Sequence, residues 1–125
     1  MKISELLNES FLGPNSNKIY KLLNDAYSIG PFDGGCVIFA RALQIKFGGD
    51  IIVLCNRNIA HHAALHLTGG DLIDADGKGS AEDVIDRFEN NEGVSITNIR
   101  ALTDADLPDA PRDEKLSAQI AELLR

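Results

Sequence analysis

The stretch IAHHAALHLTGGDLIDADG, residues 59–77, constrains the fold of this chain more than any other part of the sequence. Its two halves are mostly apolar, and the segment TGG between them has the composition of a tight turn. We therefore expect two antiparallel strands joined as a hairpin. All three histidines of the chain lie on the first strand, and Asp74 and Asp76 lie on the second. Because neighbouring strands bring opposite side chains within reach of each other, we expect a functional site with histidine and aspartate side chains on this hairpin.

The length of the turn decides which side chains face one another, because alternate residues of a strand point to opposite faces of a sheet. A three-residue TGG loop pairs Leu67 with Asp71 and makes His62 and Asp74 diagonal neighbours on one face. A two-residue loop would shift the register by one residue and favour His61. Strand geometry therefore ranks His62 first and keeps His61 as its competitor.

Helical patterns dominate the chain before the hairpin, and mixed patterns follow it. We expect helices near 3–7, in NSNKIYKLLNDAY and in CVIFARALQIKF, which two glycines end. DIIVLCN has the pattern of a buried strand, SAEDVIDRFENN that of a helix capped by Ser80, GVSITNIR that of a strand, and DEKLSAQIAELLR that of a closing helix. This order predicts an α+β fold of one domain, residues 1–125, with N-terminal helices packed on a small antiparallel sheet.

Composition restricts the classes of function. The formal net charge of −7 over 125 residues argues against binding to nucleic acid, which depends on clusters of Lys and Arg. No apolar run has membrane-spanning length, and the start MKISELLNES lacks the pattern of a signal peptide. We expect an acidic, cytoplasmic protein that binds neither membranes nor nucleic acid, and whose surface could attract a basic partner.

The two cysteines are interpreted separately, as reduced thiols in a chain without an export signal. Cys55 stands in the centre of an apolar strand, which predicts a core residue. Cys36 follows Gly34 and Gly35 and opens a helix, where the positive end of the helix dipole stabilises a thiolate. A buried core thiol would fit the same position, so position alone leaves both interpretations of Cys36 open.

A nucleophilic cysteine needs a base, and the base needs a third group that orients it. The hairpin supplies both in chain order, with a histidine on its first strand and an aspartate on its second. Cys36, His62 and Asp74 are therefore the first candidates for a catalytic triad. His61 and Asp76 are the alternatives for the base and the acid.

GGCVIFARAL followed by HHAALHLTGGDLIDADG resembles the papain-like and transglutaminase-like superfamily of cysteine hydrolases, in particular small bacterial and phage members. The resemblance covers residues 33–77. It implies a papain-like core in which Cys36 is the nucleophile, His62 is the general base and acid, and Asp74 orients the imidazole. It also implies acyl transfer of protease, amidase, deamidase or transglutaminase type on a peptide, amide or ester substrate, with no metal or cofactor.

The chain departs from the pattern of that superfamily at two points. Papain-like proteases carry a Gln before the nucleophile as a donor to the oxyanion, whereas SIGPFDGG contains none, and the chain has no Trp. The alternatives for that donor are Asn15, Asn17, a further backbone N–H group or no donor at all. The sequence therefore does not identify the group that donates to the oxyanion.

Two competing hypotheses belong to other classes. Metal binding would use His61, His62 and His66 with Cys36 and the two aspartates, but His62 and His66 on one strand lie about 13 Å apart, too far to share an ion. The second hypothesis is a catalytically inactive binding or inhibitor protein of phage or bacterial origin on the same fold. Its contact surfaces would be the acidic segment TDADLPDAP and the C-terminal helix.

Overall fold

A computed structural model of the protein describes residues 16–29 and 34–124. The helix expected near 3–7 and the candidate donor Asn15 lie outside these residues. The described residues form four helices and five strands, in the chain order α1 (Ser16–Tyr27), α2 (Cys36–Phe47), β1 (Asp50–Asn56), β2 (Ile59–His66), β3 (Leu72–Asp74), β4 (Gly77–Gly79), α3 (Ala81–Glu92), β5 (Asn98–Ala101) and α4 (Glu114–Leu123). None of the helices in this part of the chain is long and apolar enough to cross a membrane.

The five strands form one open sheet in the order β4-β3-β2-β1-β5, and all neighbours are antiparallel. The predicted α+β class is thereby confirmed. Two details of the prediction were wrong. The strand β4 was not expected, and GVSITNIR is a strand only from Asn98 onwards, because the Ile96 N–H donates to the Glu89 carboxylate at 2.7 Å instead of to a neighbouring strand.

Helices cover both faces of the sheet. On one face, α2 packs against Val53, Cys55 and Ala63, and its other buried residues join α1 and α4 in a second cluster. On the opposite face, α3 packs Val84 and Phe88 against alternate residues of the same strands. The first eight residues of α2 are buried apart from Arg41, so α2 is the central helix of the fold.

The hairpin between β2 and β3 has the register of the three-residue loop. Leu65 pairs with Ile73, and the Leu67 N–H donates to the Asp71 carbonyl at 2.9 Å. Gly70 completes the turn with φ +98°, a left-handed conformation that favours glycine. The prediction that Leu67 pairs with Asp71 is confirmed, and His62 and Asp74 share one face of the sheet.

A β-bulge separates the two adjacent histidines of β2. Leu54 pairs with His62, but the next residue of β1, Cys55, pairs with Ala60, so His61 is the extra residue on β2. A bulge leaves its extra residue outside the ladder and redirects the side chains around it. His61 is consequently exposed to solvent, whereas His62 is buried.

Candidate active site

Cys36 is the first residue of α2, and the chain before it is shaped by glycine. Gly34 has φ +100°, which is unfavourable for any residue with a Cβ. Gly35 is the N-cap and forms no side-chain capping bond. The backbone N–H groups of the first helical turn therefore have no acceptor within the helix or its cap, and they lie beside the Cys36 side chain. The side chain is 6% exposed, so the sulfur is nearly buried but reachable.

The start of α2 lies against an edge of β2 that β3 does not cover, since β3 ends at Asp74. The Cys55 carbonyl accepts from the Thr97 N–H at 2.8 Å, so the odd-numbered residues of β1 turn their polar groups toward β5. Val53 is one of these residues and pairs with Ala63. In an antiparallel ladder the Ala63 N–H must then point away from β1. It donates to the Cys36 sulfur, which occupies the place of a strand partner.

His62 connects the thiol to a carboxylate. The residue is 2% exposed, and its Nε2 lies 3.2 Å from Oδ2 of Asp74. The ring also forms a hydrogen bond with the Cys36 thiol. Because Nε2 faces Asp74, Nδ1 is the ring nitrogen left for the sulfur. The structure thus brings together the three residues that the sequence ranked first.

Asp74 is held on its second oxygen as well. Its Oδ1 accepts from the Asp76 N–H at 2.9 Å and from Arg87 Nη2 at 3.1 Å. The same Arg87 nitrogen donates to the Gly77 carbonyl at 3.3 Å, and Arg87 Nε lies 3.4 Å from Oδ2 of Asp76. These contacts fix the rotamer of Asp74, so the orientation of the His62 ring is fixed in turn.

Phe88 covers the His62 ring from the side of α3. The two ring centroids are 4.9 Å apart and the ring planes differ by 15°, which is a stacked arrangement. A large apolar ring in this position keeps water away from the hydrogen bond between His62 and Asp74. The strength of that bond rises as water is excluded.

The pKa values of Cys36 and His62 shift in opposite directions. Burial raises the pKa of the Cys36 thiol, but the hydrogen bond and charge of His62, together with the N–H groups of Ala63 and Cys36 itself, lower it below its ordinary value. Burial lowers the pKa of His62, but hydrogen bonds and charges of Asp74 and Cys36 raise it from 6.5 to about 9. The contact between the two residues therefore stabilises the thiolate form of Cys36 and the imidazolium form of His62 relative to their neutral forms.

The alternative candidates for the base and the acid, His61 and Asp76, are not part of the contacts that join Cys36, His62 and Asp74. His61 is exposed, and Asp76 forms its contacts with Arg87 and, at 3.3 Å, with Asn91. Burial and the charge of Asp74 raise the pKa of Asp76. His66 is half-buried near the turn. Within residues 16–29 and 34–124, no group of three or more His, Cys, Asp or Glu side chains is arranged to hold a metal ion.

Cys55 is fully buried, and its sulfur lies 3.7 Å from the Val53 carbonyl oxygen. The prediction that Cys55 is a core residue is confirmed. Both cysteines are free thiols. Burial raises the pKa of Cys55, whereas that of Cys36 is lowered, so the two thiols have opposite tendencies to ionise.

A cleft of about 450 Å³ opens beside Cys36. Residues 58–61, at the start of β2, form one wall, and residues 105–110, in the loop after β5, form the other. Asn17, a candidate donor from the sequence, is on α1 and does not line this cleft. The backbone N–H groups that open α2 adjoin the thiol and are candidate donors to a group bound there.

Sequence reasoning missed Arg87 and Phe88. Phe88 follows Val84 by four residues, and this spacing indicated a buried helix face. Nothing in the sequence showed that this face would cover His62. Arg87 had no signal at all, because a single arginine on an amphipathic helix is typical of the exposed face.

Comparison of the chain with models of protein families, with curated proteins and with solved structures found no match.

Proposed function

We propose that the protein is a cysteine-dependent acyl-transfer enzyme on a papain-like or transglutaminase-like core, with Cys36, His62 and Asp74 as its triad. The observation that supports this proposal is the buried His62 ring, which is hydrogen-bonded to the Cys36 thiol and, at 3.2 Å, to Asp74. A nucleophile, a base and an orienting acid in contact are the elements that covalent acyl transfer requires. The reaction is of protease, amidase, deamidase or transglutaminase type.

In the first step, the Cys36 thiolate attacks the carbonyl carbon of an amide or ester in the cleft. A carbon–sulfur bond forms, and the electron pair of the carbonyl bond moves to its oxygen. The N–H groups at the start of α2 donate to this oxyanion, and the helix dipole stabilises its charge. Because these donors belong to the backbone, they need no reorganisation during the reaction.

In the second step, the His62 imidazolium donates its proton to the leaving amine or alcohol as the tetrahedral intermediate collapses to a thioester. Neutral His62 then accepts a proton from water or an acceptor amine, which attacks the thioester and releases Cys36 as thiolate. Asp74 stabilises the imidazolium throughout, and Arg87 keeps Asp74 in place.

The decisive experiment is the rate of Cys36 alkylation by iodoacetamide over a range of pH, with the modified cysteine located by mass spectrometry. In the wild type we expect the rate to rise with a midpoint well below the ordinary thiol value of 9.0. In His62→Ala we expect the midpoint to move to that value or above, because burial then acts without the opposing imidazolium. His61→Ala is the matched control and should titrate like the wild type.

An ordinary thiol in the wild type, or an equal effect of the two histidine variants, would overturn the proposal. That result would favour the alternative function, an inactive acidic protein that binds a basic partner. Two carboxylates of the acidic segment, Asp104 and Asp109, are exposed and would be available for such binding. Pull-down experiments with Asp104→Asn and Asp109→Asn variants would then identify the contact surface.

A further inference from the structure

The cleft beside Cys36 has apolar side chains on both of its walls. Ile59, the first residue of β2, lies on one wall and is 66% exposed, and Leu107 and Pro108 lie on the other wall. None of the described residues that line it is a lysine or an arginine. A volume of about 450 Å³ is sufficient for a small ligand or for a few residues of a peptide.

Two carboxylates line this cleft, and they differ in their partners. Asp106 is neutralised by Arg100, whose two terminal nitrogens lie 2.6 and 2.7 Å from its oxygens, and Asp106 also accepts from Thr103. Asp109 is exposed and forms no ion pair with any residue in the described part of the chain. Asp109 therefore places in the cleft a carboxylate that has no ion-pair partner among the described residues.

The backbone around Asp109 is held in place. The Ala110 N–H donates to the Leu107 carbonyl at 2.9 Å, which closes a β-turn with Pro108 and Asp109 at its two central positions. The Arg112 guanidinium donates to the same Leu107 carbonyl at 2.7 Å and to the Ala110 carbonyl at 2.8 Å. Because both flanks of the turn are anchored, the carboxylate is presented at a defined place on the cleft wall.

We propose that this cleft selects substrates with a lysine or arginine side chain close to the reacting carbonyl. The alkyl stem of such a side chain packs against the apolar walls, and its cationic tip binds Asp109. This assignment rests on the proposed function, because it places the substrate at the Cys36 thiol. To the proposed acyl transfer, the assignment adds the chemical class of the substrate, a cationic side chain, and Asp109 as the residue that recognises it.

The test uses three methanethiosulfonate reagents of similar size, one neutral, one trimethylammonioethyl and one sulfonatoethyl. The Cys36 thiolate attacks the sulfenyl sulfur of each reagent, so that the alkylthio group is transferred to Cys36 as a disulfide and methanesulfinate leaves. We expect Asp109→Asn to lower the ratio of the cationic rate to the anionic rate about fivefold, because loss of the carboxylate slows one reagent and accelerates the other. The neutral reagent corrects for changes in thiol exposure, and Cys36→Ala gives the background.

Asp104→Asn is the matched control, since Asp104 is an exposed carboxylate of the same loop that does not line this cleft. An unchanged ratio in Asp109→Asn, or an equal change in Asp104→Asn, would overturn the assignment. These reagents need only a reachable thiol, so the ratio reports the charge of the cleft even if iodoacetamide shows an ordinary thiol. Failure of the proposed function and failure of this assignment are thus distinguishable.

A second measurement tests the side chain itself. The two aldehydes are derived from lysine and norleucine, each acetylated on its α-nitrogen. Their side chains share a four-carbon alkyl stem, and only the lysine compound carries a terminal amine. Each adds to the Cys36 sulfur at its carbonyl carbon, and the oxygen takes up a proton. We expect the lysine compound to protect Cys36 from alkylation at an about fivefold lower concentration in the wild type, and the two compounds to be equal in Asp109→Asn. Equal protection in the wild type would contradict the assignment.

Discussion

Arg87 is the residue on which the geometry of the two aspartates depends. It contacts Asp74, Asp76 and the Gly77 carbonyl, and only 19% of its side chain is exposed. In Arg87→Met, two neighbouring carboxylates would lose their shared cation. We expect the free energy of unfolding at pH 7 to fall by about 2–3 kcal/mol, measured by urea unfolding.

The comparison variant for this prediction is Arg41→Met. Arg41 pairs with Glu114 at 2.6 Å, but both side chains are substantially exposed, and exposed ion pairs contribute little to stability. The charge of Arg87 lowers the pKa of Asp76 against the effects of burial and Asp74. The loss in Arg87→Met should therefore be smaller at about pH 5, where Asp76 is closer to protonation, than at pH 7. Equal losses in the two arginine variants would show that the contacts of Arg87 have no special weight.

The residues of the candidate triad could be ranked from the sequence because the length of a hairpin loop determines which residues of the two strands pair. Once TGG is taken as a three-residue loop, the relation between His62 and Asp74 follows from the alternation of side chains. The roles of Arg87 and Phe88 could not be predicted, because they depend on how α3 docks on the sheet. The bulge at His61 could not be predicted from the alternation of side chains either, since the extra residue interrupts that alternation.

At the scale of elements, the approach to α2 depends on the conformation of Gly34. Its φ of +100° is costly for a side chain, and an added Cβ would lie 3.4 Å from Cγ2 of Ile29. We expect Gly34→Ala to lose about 1–2 kcal/mol in urea unfolding and to slow Cys36 alkylation, because the start of α2 must move. Gly93→Ala is the control, since Gly93 ends α3 with φ +68° and has open space around it.

Both glycine variants should lose stability through backbone strain. Only Gly34→Ala should change the reactivity of Cys36. If Gly93→Ala slows alkylation equally, the effect is one of global stability, and the conformation of Gly34 has no specific influence on the reactivity of Cys36.

The loop after β5 is held by the pair of Arg100 and Asp106. We expect Asp106→Asn to increase cleavage of residues 102–110 by thermolysin at pH 7 while the helices and the sheet persist, because the loop loses its charged anchor. Asp104→Asn, which forms no ion pair with the described residues, should leave the cleavage rate unchanged. Cleavage spread over the whole chain in Asp106→Asn would contradict a local role.

This anchor also has a defined pH dependence. The hydrogen bonds of Arg100, opposed by burial and assisted by Thr103, hold the pKa of Asp106 well below its ordinary value of 3.8. A lowered carboxyl pKa contributes stability that is fully present above about pH 3.8 and is lost as the pH falls through the lowered value. The difference in cleavage or in urea midpoint between wild type and Asp106→Asn should therefore stay constant from pH 7 to about pH 4 and narrow below it.

For the whole molecule, the candidate site lies where two layers of helices meet across a sheet edge. Cys36 comes from α2 on one face, and Arg87 and Phe88 come from α3 on the other. The order of elements predicted the α+β class and the bounds of α2, because hydrophobic period and glycine stops are local signals. The shortness of β5 depended on a hydrogen bond from the Ile96 N–H to the Glu89 carboxylate of α3, which the alternating pattern of a strand does not encode.

The uncovered edge of β2 has a further consequence for how the protein behaves at high concentration. A strand edge with free polar groups is a template on which another chain can add a strand, and this is a common start of aggregation. Cys36 and the beginning of α2 occupy that edge beside Ala63. The helix that carries the thiol therefore also shields this part of β2 from pairing with another chain. A change that detaches its first turn is expected to increase light scattering in solution as well as to reduce thiol reactivity.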